Sequence, residues 1–239
     1  MDCALIPIKQ LDLRITDEAW PFAVNERHRI EAYWAEASKK NPHIWNGDVL
    51  IGRRAEIREA TLAARLVTTD FASVIAWRGL KHQDDARNIS GMPGIITADG
   101  AMIFGVMADH TYNAGKIYPP GGSLDRDDIR ADGTVDVLGS IARELKEETG
   151  LDAAAASPAG LFALPMERAL TVIFFLRFPW TARELERLIQ KHVEAETKPE
   201  LKALWTVREE ANIRTEMAAF AAEMARYFLA NREALTGIR

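Results

Sequence analysis

The sequence predicts an α/β (α+β) chain, and three observations carry that expectation. Runs dense in Val, Ile and Phe alternate with segments in which apolar residues recur every three or four positions, the periods of strands and of amphipathic helices. Turn-forming pairs such as Asn46-Gly47 and Asp99-Gly100 divide the runs. Finally, a 48% hydrophobic content over 239 residues is enough for a sizeable core.

The elements follow in order. Residues 5–8 read as a strand, and residues 25–39 as a helix with Ile30, Tyr33, Trp34 and Ala37 on one face, stopped by Pro42. After a hairpin-type turn at Asn46-Gly47, residues 49–51 and 57–68 read as strands rich in β-branched residues. Asp70 caps a short helix containing Phe71, Val74, Ile75 and Trp77, and the polar run 81–88 reads as a linker. Residues 1–90 therefore form an N-terminal extension, and 91–239 a second α/β domain. That domain opens with a hairpin of strands 94–97 and 102–107 about Asp99-Gly100, and a loop over 108–116 leads to Ile117-Tyr118. A helix over 137–149 comes next, then strands over 159–164 and 171–178, the second central. A helix over 180–193, a strand over 201–207 and a helix over 215–230 with Met217, Phe220, Met224 and Phe228 on its apolar side complete the order. Trp20, Trp34, Trp45 and Trp77 read as core residues rather than base-stacking platforms, and His28, His43, His82 and His192, which lack zinc-type spacing, as surface or packing residues.

Composition excludes several classes. A net charge of −5 gives no nucleic-acid footprint. The lone Cys3 excludes an internal disulfide and a Cys-rich zinc site and fits a reducing cytoplasm. The N-terminal residues lack the basic region and apolar run of a signal peptide, and no stretch approaches the ~20 apolar residues of a membrane span. The expectation is a cytoplasmic protein with neither a nucleic-acid nor a membrane partner.

The 137–149 helix carries the chemistry. In Arg143-Glu144-Leu145-Lys146-Glu147-Glu148-Thr149-Gly150-Leu151, about 100° per residue places Glu144, Glu147 and Glu148 on one side within a turn. Like charges that close repel, and Arg143 reaches one or two of them, so a hard cation such as Mg²⁺ is a natural partner; a solvated acidic face is the alternative. Asp136 stands at the N-cap and Gly150 at the C-terminal stop, while Val137, Leu138, Ile141 and Leu145 form an apolar stripe. Upstream, Pro119-Pro120-Gly121-Gly122 joins a rigid approach to two residues that let backbone come close to a ligand.

This constellation resembles the Nudix box, G-x5-E-x7-R-E-U-x-E-E-x-G-U with U aliphatic. Arg143, Glu144, Leu145, Glu147, Glu148, Gly150 and Leu151 match every fixed position of its C-terminal half. The N-terminal half departs: Val135 stands where the family has Glu, and twelve residues rather than five separate it from Gly122, so 126–132 read as an insertion. Asp136 or the inserted Asp125, Asp127 and Asp128 are candidates to compensate. The resemblance implies the Nudix fold, a mixed β-sheet sandwiched between helices, here with an N-terminal α/β extension. It also implies a metal-dependent pyrophosphohydrolase that cleaves a nucleoside diphosphate linked to another moiety. Mg²⁺ or Mn²⁺ would be held by Glu144, Glu147 and Glu148 with a carbonyl of Gly121 or Gly122, and Arg143 would orient a glutamate. The family's base is a box glutamate or a distant acid, for which Glu167 leads and Glu209 and Glu210 follow; a solvated turn acid is the alternative for Glu167. The partner is then a small nucleotide-derived substrate, and because the family commonly forms dimers, a homodimer is an open expectation.

Substrate choice is less legible. His110, Tyr112, Asn113 and Lys116, on the loop before the box, are candidates to meet phosphate or base, with an ordinary polar loop as the alternative. Trp34 and the segment Asn41-Pro42-His43-Ile44-Trp45-Asn46-Gly47 resemble the N-terminal section of Nudix enzymes that split UDP-glucose or UDP-galactose. That favours an NDP-sugar and leaves ADP-ribose, dinucleotides and coenzyme A open. A catalytically inactive Nudix-fold nucleotide-binding regulatory module is the second reading, supported by Val135. An isoprenyl diphosphate isomerase ranks below both, since Cys3 offers the only thiol.

Overall fold

The computed structural model describes residues 4–42 and 44–237; Cys3 and His43 lie outside the described residues. Two sheets organise the chain. The larger has seven strands: β1 (Ile6–Pro7), β8 (Ser157–Pro165), β9 (Ala169–Arg177), β5 (Asn88–Ile96), β6 (Met102–Met107) and β10 (Leu201–Val207) in that spatial order, with β7 (Ile117–Tyr118) also paired to β6. It is mixed, since β5 and β9 run parallel and its other pairs are antiparallel. The smaller sheet has β4 (Thr61–Asp70) between β2 (Gln10–Ile15), parallel to it, and β3 (Asp48–Arg58), antiparallel.

The helices form outer layers and one shared interior layer. The helices α1 (Pro21–Asn25), α2 (Arg27–Lys40) and α3 (Phe71–Gly79) cover one face of the small sheet, burying Trp20, Phe22, Ile30, Val49, Ile51, Val67 and Trp77 together. Its other face presents Leu13, Leu50, Leu62 and Leu66 to a cluster shared with Val137 and Ile141 of α4 (Val137–Thr149) and with Ala163, Leu170 and Val172 of the large sheet. Beside α4 lies α5 (Ala182–Ala195), where Leu185 and Ile189 meet Leu145, Ile95, Ile103 and Phe178. The opposite face of the large sheet is covered by α6 (Ala219–Ala230) and α7 (Arg232–Thr236), with Met224, Phe228 and Leu235 against Phe104, Ile173 and Phe175. Alternation along β9 explains this: Leu170 and Val172 face α4's side, Ile173 and Phe175 face α6. Each such buried side chain contributes about 1.5–3 kcal/mol of transfer free energy.

Several expected boundaries moved. The span 57–68 is not one strand: β3 runs through Arg58, and a turn at Glu59 and Ala60, both with positive φ, sends the chain back as β4. That turn carries none of the Gly or Asn that normally marks it. Asn46-Gly47 is no hairpin turn but a connection pinned to the start of α3. β2 and α7 have no counterpart among the expected elements, although Leu11, Leu13 and Ile15 of β2 alternate with Asp12 and Arg14. The 81–88 stretch is more than a spacer, because Asp84 accepts from the indole N–H groups of Trp20 (2.8 Å) and Trp77 (3.1 Å).

The inserted segment is ordered by the small sheet. Leu50 N–H donates to Leu124 O at 2.7 Å, Ile15 N–H to Gly133 O at 3.0 Å and Val135 N–H to Leu13 O at 2.8 Å, and Arg126 pairs with Asp48 at 2.7 Å. The long loop is thus the seam between the first section and α4.

Candidate active site

The acidic helix is held at both ends. At its start the Asp136 carboxylate accepts from Gly139 N–H at 2.9 Å and pairs with Arg130 at 2.7 Å; at its end Gly150 takes the left-handed conformation, φ 71°. Val137, Ile141 and Leu145 are buried, whereas Leu138, expected in the same stripe, is exposed. A stripe of three anchors the helix firmly enough to put one of the glutamates inside the protein.

That glutamate is Glu148. Its residue is 7% exposed; one carboxylate oxygen accepts from Gly121 N–H at 2.7 Å, and the other is buried with no hydrogen-bond partner. Burial pushes its carboxyl well above the usual range, the Gly121 hydrogen bond opposes this, and the charges of Glu200, Glu144 and Glu196 add to the rise. The close approach depends on the two glycines: a β-carbon at position 121 would stand 2.8 Å from Gly91 O, and one at 122 would stand 2.8 Å from the Glu144 carboxylate. Glu144 is raised by burial, an effect countered by Arg143 and reinforced by Glu147.

Arg143 ties the outer acids. Its guanidinium donates to Glu144 at 2.7 Å and lies 3.5 Å from Glu147, so the helix's own cation reaches two of the three acids. It also donates to Asp128 at 3.0 Å. Asp128, from the insertion, has a side chain only 3% exposed and accepts from Asp125 N–H at 3.1 Å as well. Burial lowers the Arg143 pKa, but the Asp128 hydrogen bond and the charges of Glu144, Asp128 and Glu147 outweigh this and raise it. Val135 is a core residue at 5% exposure, so the acid that meets Arg143 comes from the lengthened loop.

Beyond α4 opens a cleft of about 470 Å³ walled by Glu144, Glu147, Glu148, Glu196, Lys198 and Glu200. Five carboxylates against one lysine make it strongly negative. A second groove of about 330 Å³ shares Lys198 and Glu200 with it and is lined by Trp45, Phe71, His110 and Tyr112. Among the described residues no three His, Cys, Asp or Glu side chains are already gathered as a cation cage. Arg143 draws two of the glutamates to itself, and Gly121 holds the third. The donor set nonetheless suits a hard cation: carboxylate oxygens, one of them buried without a partner.

The other residues singled out from the sequence are dispersed. His110 and Tyr112 line the second groove, whereas Asn113 turns to the Tyr118 hydroxyl at 3.3 Å and Lys116, exposed, lines neither cavity. Glu167 sits in the tight turn between β8 and β9, its side chain 74% exposed and 3.8 Å from Arg168, and it does not line the cleft. The reason is that Arg168 ties this turn to Trp77 and His82 of the first section. Glu209 and Glu210, in the turn after β10, are also outside the cleft. Sequence reasoning missed Glu196, Lys198 and Glu200, which stand on the α5–β10 connection, where no period or motif marks them. Trp20 and Trp77 are core at 1% exposure, but Trp45 is 78% exposed.

No family model matches the chain, and no curated protein matches it. Solved structures similar to it include Nudix and MutT hydrolases. A MutT protein from Methanosarcina mazei Go1 is 19% identical, covering 59% of this chain and 92% of its own, with a TM-score of 0.38. A NUDIX hydrolase from Nitrosomonas europaea is 13% identical over 61% of this chain and 90% of its own, TM-score 0.40. A bifunctional NMN adenylyltransferase/ADP ribose pyrophosphatase from Francisella tularensis, complexed with AMP and Mn ion, is 17% identical over 66% of this chain and 46% of its own, TM-score 0.43. At these identities and scores the likenesses add no weight to a functional reading, which rests on the site itself.

Proposed function

We propose that the chain is a Nudix-type hydrolase, a metal-dependent pyrophosphohydrolase cleaving the phosphoanhydride of a nucleoside diphosphate linked to another moiety. An NDP-sugar such as UDP-glucose is the favoured substrate. One observation carries the reading: the buried Glu148 carboxylate, with one oxygen on Gly121 N–H and the other unpartnered, in a cleft walled by five acids. A buried carboxylate oxygen without a partner is costly, and a cation is the partner that would remove the cost.

Glu144, Glu147 and Glu148 would hold Mg²⁺ or Mn²⁺, with the Gly121 or Gly122 carbonyl as a further donor. The bound cation would screen the diphosphate and lower the pKa of the attacking water. Gly121 N–H fixes the Glu148 carboxylate, and Arg143 braces Glu144 against Asp128. Lys198, without a hydrogen bond or ion pair among the described residues, lines the cleft and would meet phosphate there. The Glu200 carboxylate, likewise unpaired among the described residues, lines the cleft, which Glu167 does not, and would receive the water's proton.

The test is a panel of NDP-sugars, ADP-ribose, dinucleotides and NTPs assayed with Mg²⁺ and Mn²⁺. Turnover of an NDP-sugar to a nucleoside monophosphate and a sugar 1-phosphate is expected. No turnover of any, with tight binding of one, makes the chain a nucleotide-binding regulatory module instead.

A further inference from the structure

We propose that the groove beside the acidic cleft is a stacking subsite for the nucleobase, with Trp45 of the N-terminal section and Tyr112 of the loop after β6 as its ring surfaces. This rests on reading the acidic cleft as the diphosphate site.

Among the described residues, large hydrophobic side chains stand exposed at Val24, Trp45, Tyr112, Leu138 and Leu188. The two aromatic ones, Trp45 at 78% and Tyr112 at 51% exposure, line the same groove. Phe71, also in its wall, backs Tyr112 edge-on at 5.7 Å and 84°. Aromatic faces left open in a concavity are suited to a planar ring, and every base has such a face.

The backbone that carries Trp45 is held in place. The six-membered ring of Trp45 occupies the space a β-carbon at position 47 would fill, so Gly47 lets the indole lie against the backbone. The connection that carries it is clamped to α3: Phe71 N–H donates to Gly47 O at 2.9 Å, and Ala72 N–H to Asn46 Oδ1 at 2.7 Å. Asn46 Nδ2 in turn donates to Asp70 Oδ2 at 3.2 Å, and Asp70 caps the helix through Ser73 N–H at 3.1 Å. A connection fixed beforehand has less backbone freedom to lose when a ligand stacks on the ring it carries.

Continuity with the acids completes the argument. Lys198 and Glu200 belong to both cavities, so a base in the groove would deliver its phosphates past the free Lys198 amine toward Glu144 and Glu148. His110 and Thr111 offer polar groups at the groove wall for the edge of the base. The N-terminal section thereby supplies the base-binding half of the site, and α4 the phosphate half.

The experiment is calorimetric and fluorescence titration of the full chain with UDP, ADP and inorganic pyrophosphate in Mg²⁺. UDP or ADP is expected to quench tryptophan emission and to bind more tightly than pyrophosphate. Trp45→Ala should remove most of the quench and weaken nucleotide binding roughly five- to a hundredfold, with pyrophosphate binding unchanged. Gly47→Ala, which displaces the ring without deleting it, should weaken nucleotide binding in the same sense. Nucleotides that bind no better than pyrophosphate overturn the proposal. So do variants that stay folded by circular dichroism and bind UDP as wild type does, or a Trp45→Ala that weakens pyrophosphate equally. Base-dependent binding without hydrolysis would sink the hydrolase reading alone; hydrolysis with no role for Trp45 would sink the subsite alone.

Discussion

Replacing Glu148 by Gln should have opposite effects on stability and on catalysis. The carboxylate is buried, with one oxygen bonded to Gly121 N–H and the other bonded to nothing. Gln keeps an oxygen for Gly121 and puts an N–H₂ donor where the unpartnered oxygen faces the negative charges of Glu144 and Glu200. A buried carboxylate facing like charges costs about 1–3 kcal/mol more than a neutral amide in the same place, because the charged form carries the larger desolvation penalty. Relieving it by about 2 kcal/mol in a chain of this size should raise the melting temperature by roughly 4–8 °C when no divalent cation is present. With Mg²⁺ the order should reverse, because the wild type gains stability from binding and the variant does not. Thermal melts with chelator and with saturating Mg²⁺, beside turnover of the best substrate, measure all three quantities. A variant that melts below wild type in chelator, or that keeps both its Mg²⁺-induced stabilisation and its turnover, refutes the reasoning.

Two further outcomes are expected. Asp128→Asn keeps an acceptor for Asp125 N–H but removes the charge that holds Arg143, so turnover and Mn²⁺ affinity should fall about tenfold, because Arg143 then braces Glu144 less firmly, while the melting temperature drops only a few degrees; unchanged Mn²⁺ binding by paramagnetic titration would count against the role given to the insertion. At Asp99 burial raises the carboxyl pKa, but Thr97 Oγ1, Arg208 and Ala182 N–H outweigh it and bring it down from 3.8 to about 2. A depressed folded pKa means stability present above about pH 4 and lost as pH falls toward 2. Since both partners are more than a third exposed, solvent screening leaves on the order of 1 kcal/mol. Arg208→Ala should remove part of it, read as a smaller loss of stability between pH 4 and pH 2 in urea titrations; an acid profile identical to wild type would contradict it.

Much of the architecture was legible because local signals and tertiary contacts agree. The acidic helix starts at Asp136 and ends at Gly150 as its cap residues require, and the dense apolar run of β9 lies inside the large sheet, buried on both faces. Misreadings cluster where the local signal was weak or contrary. Glu59 and Ala60 turn with positive φ but lack turn chemistry, and Arg53 to Glu56, polar and bulged, concealed the continuation of β3. In β2 the alternation of Leu11, Leu13 and Ile15 with Asp12 and Arg14 is confined to a strand of six residues. Trp45 illustrates a different limit: composition places a tryptophan inside, and only the clamp at Asn46 and the bare Gly47 hold this one at the surface.

The sequence by itself determined that three carboxylates share a helix face behind a Gly-Gly approach, since helical period and caps are properties of a few neighbouring residues. The tertiary structure alone decided which of those carboxylates is buried, that Asp128 rather than an acid at position 135 meets Arg143, and that Glu196, Lys198 and Glu200 wall the cleft. Those outcomes depend on how the insertion docks on the small sheet and how the α5–β10 connection falls beside α4. Contacts between residues 15 to more than 50 positions apart leave no mark in local pattern, because they are set by packing of whole elements rather than by the residues that make them.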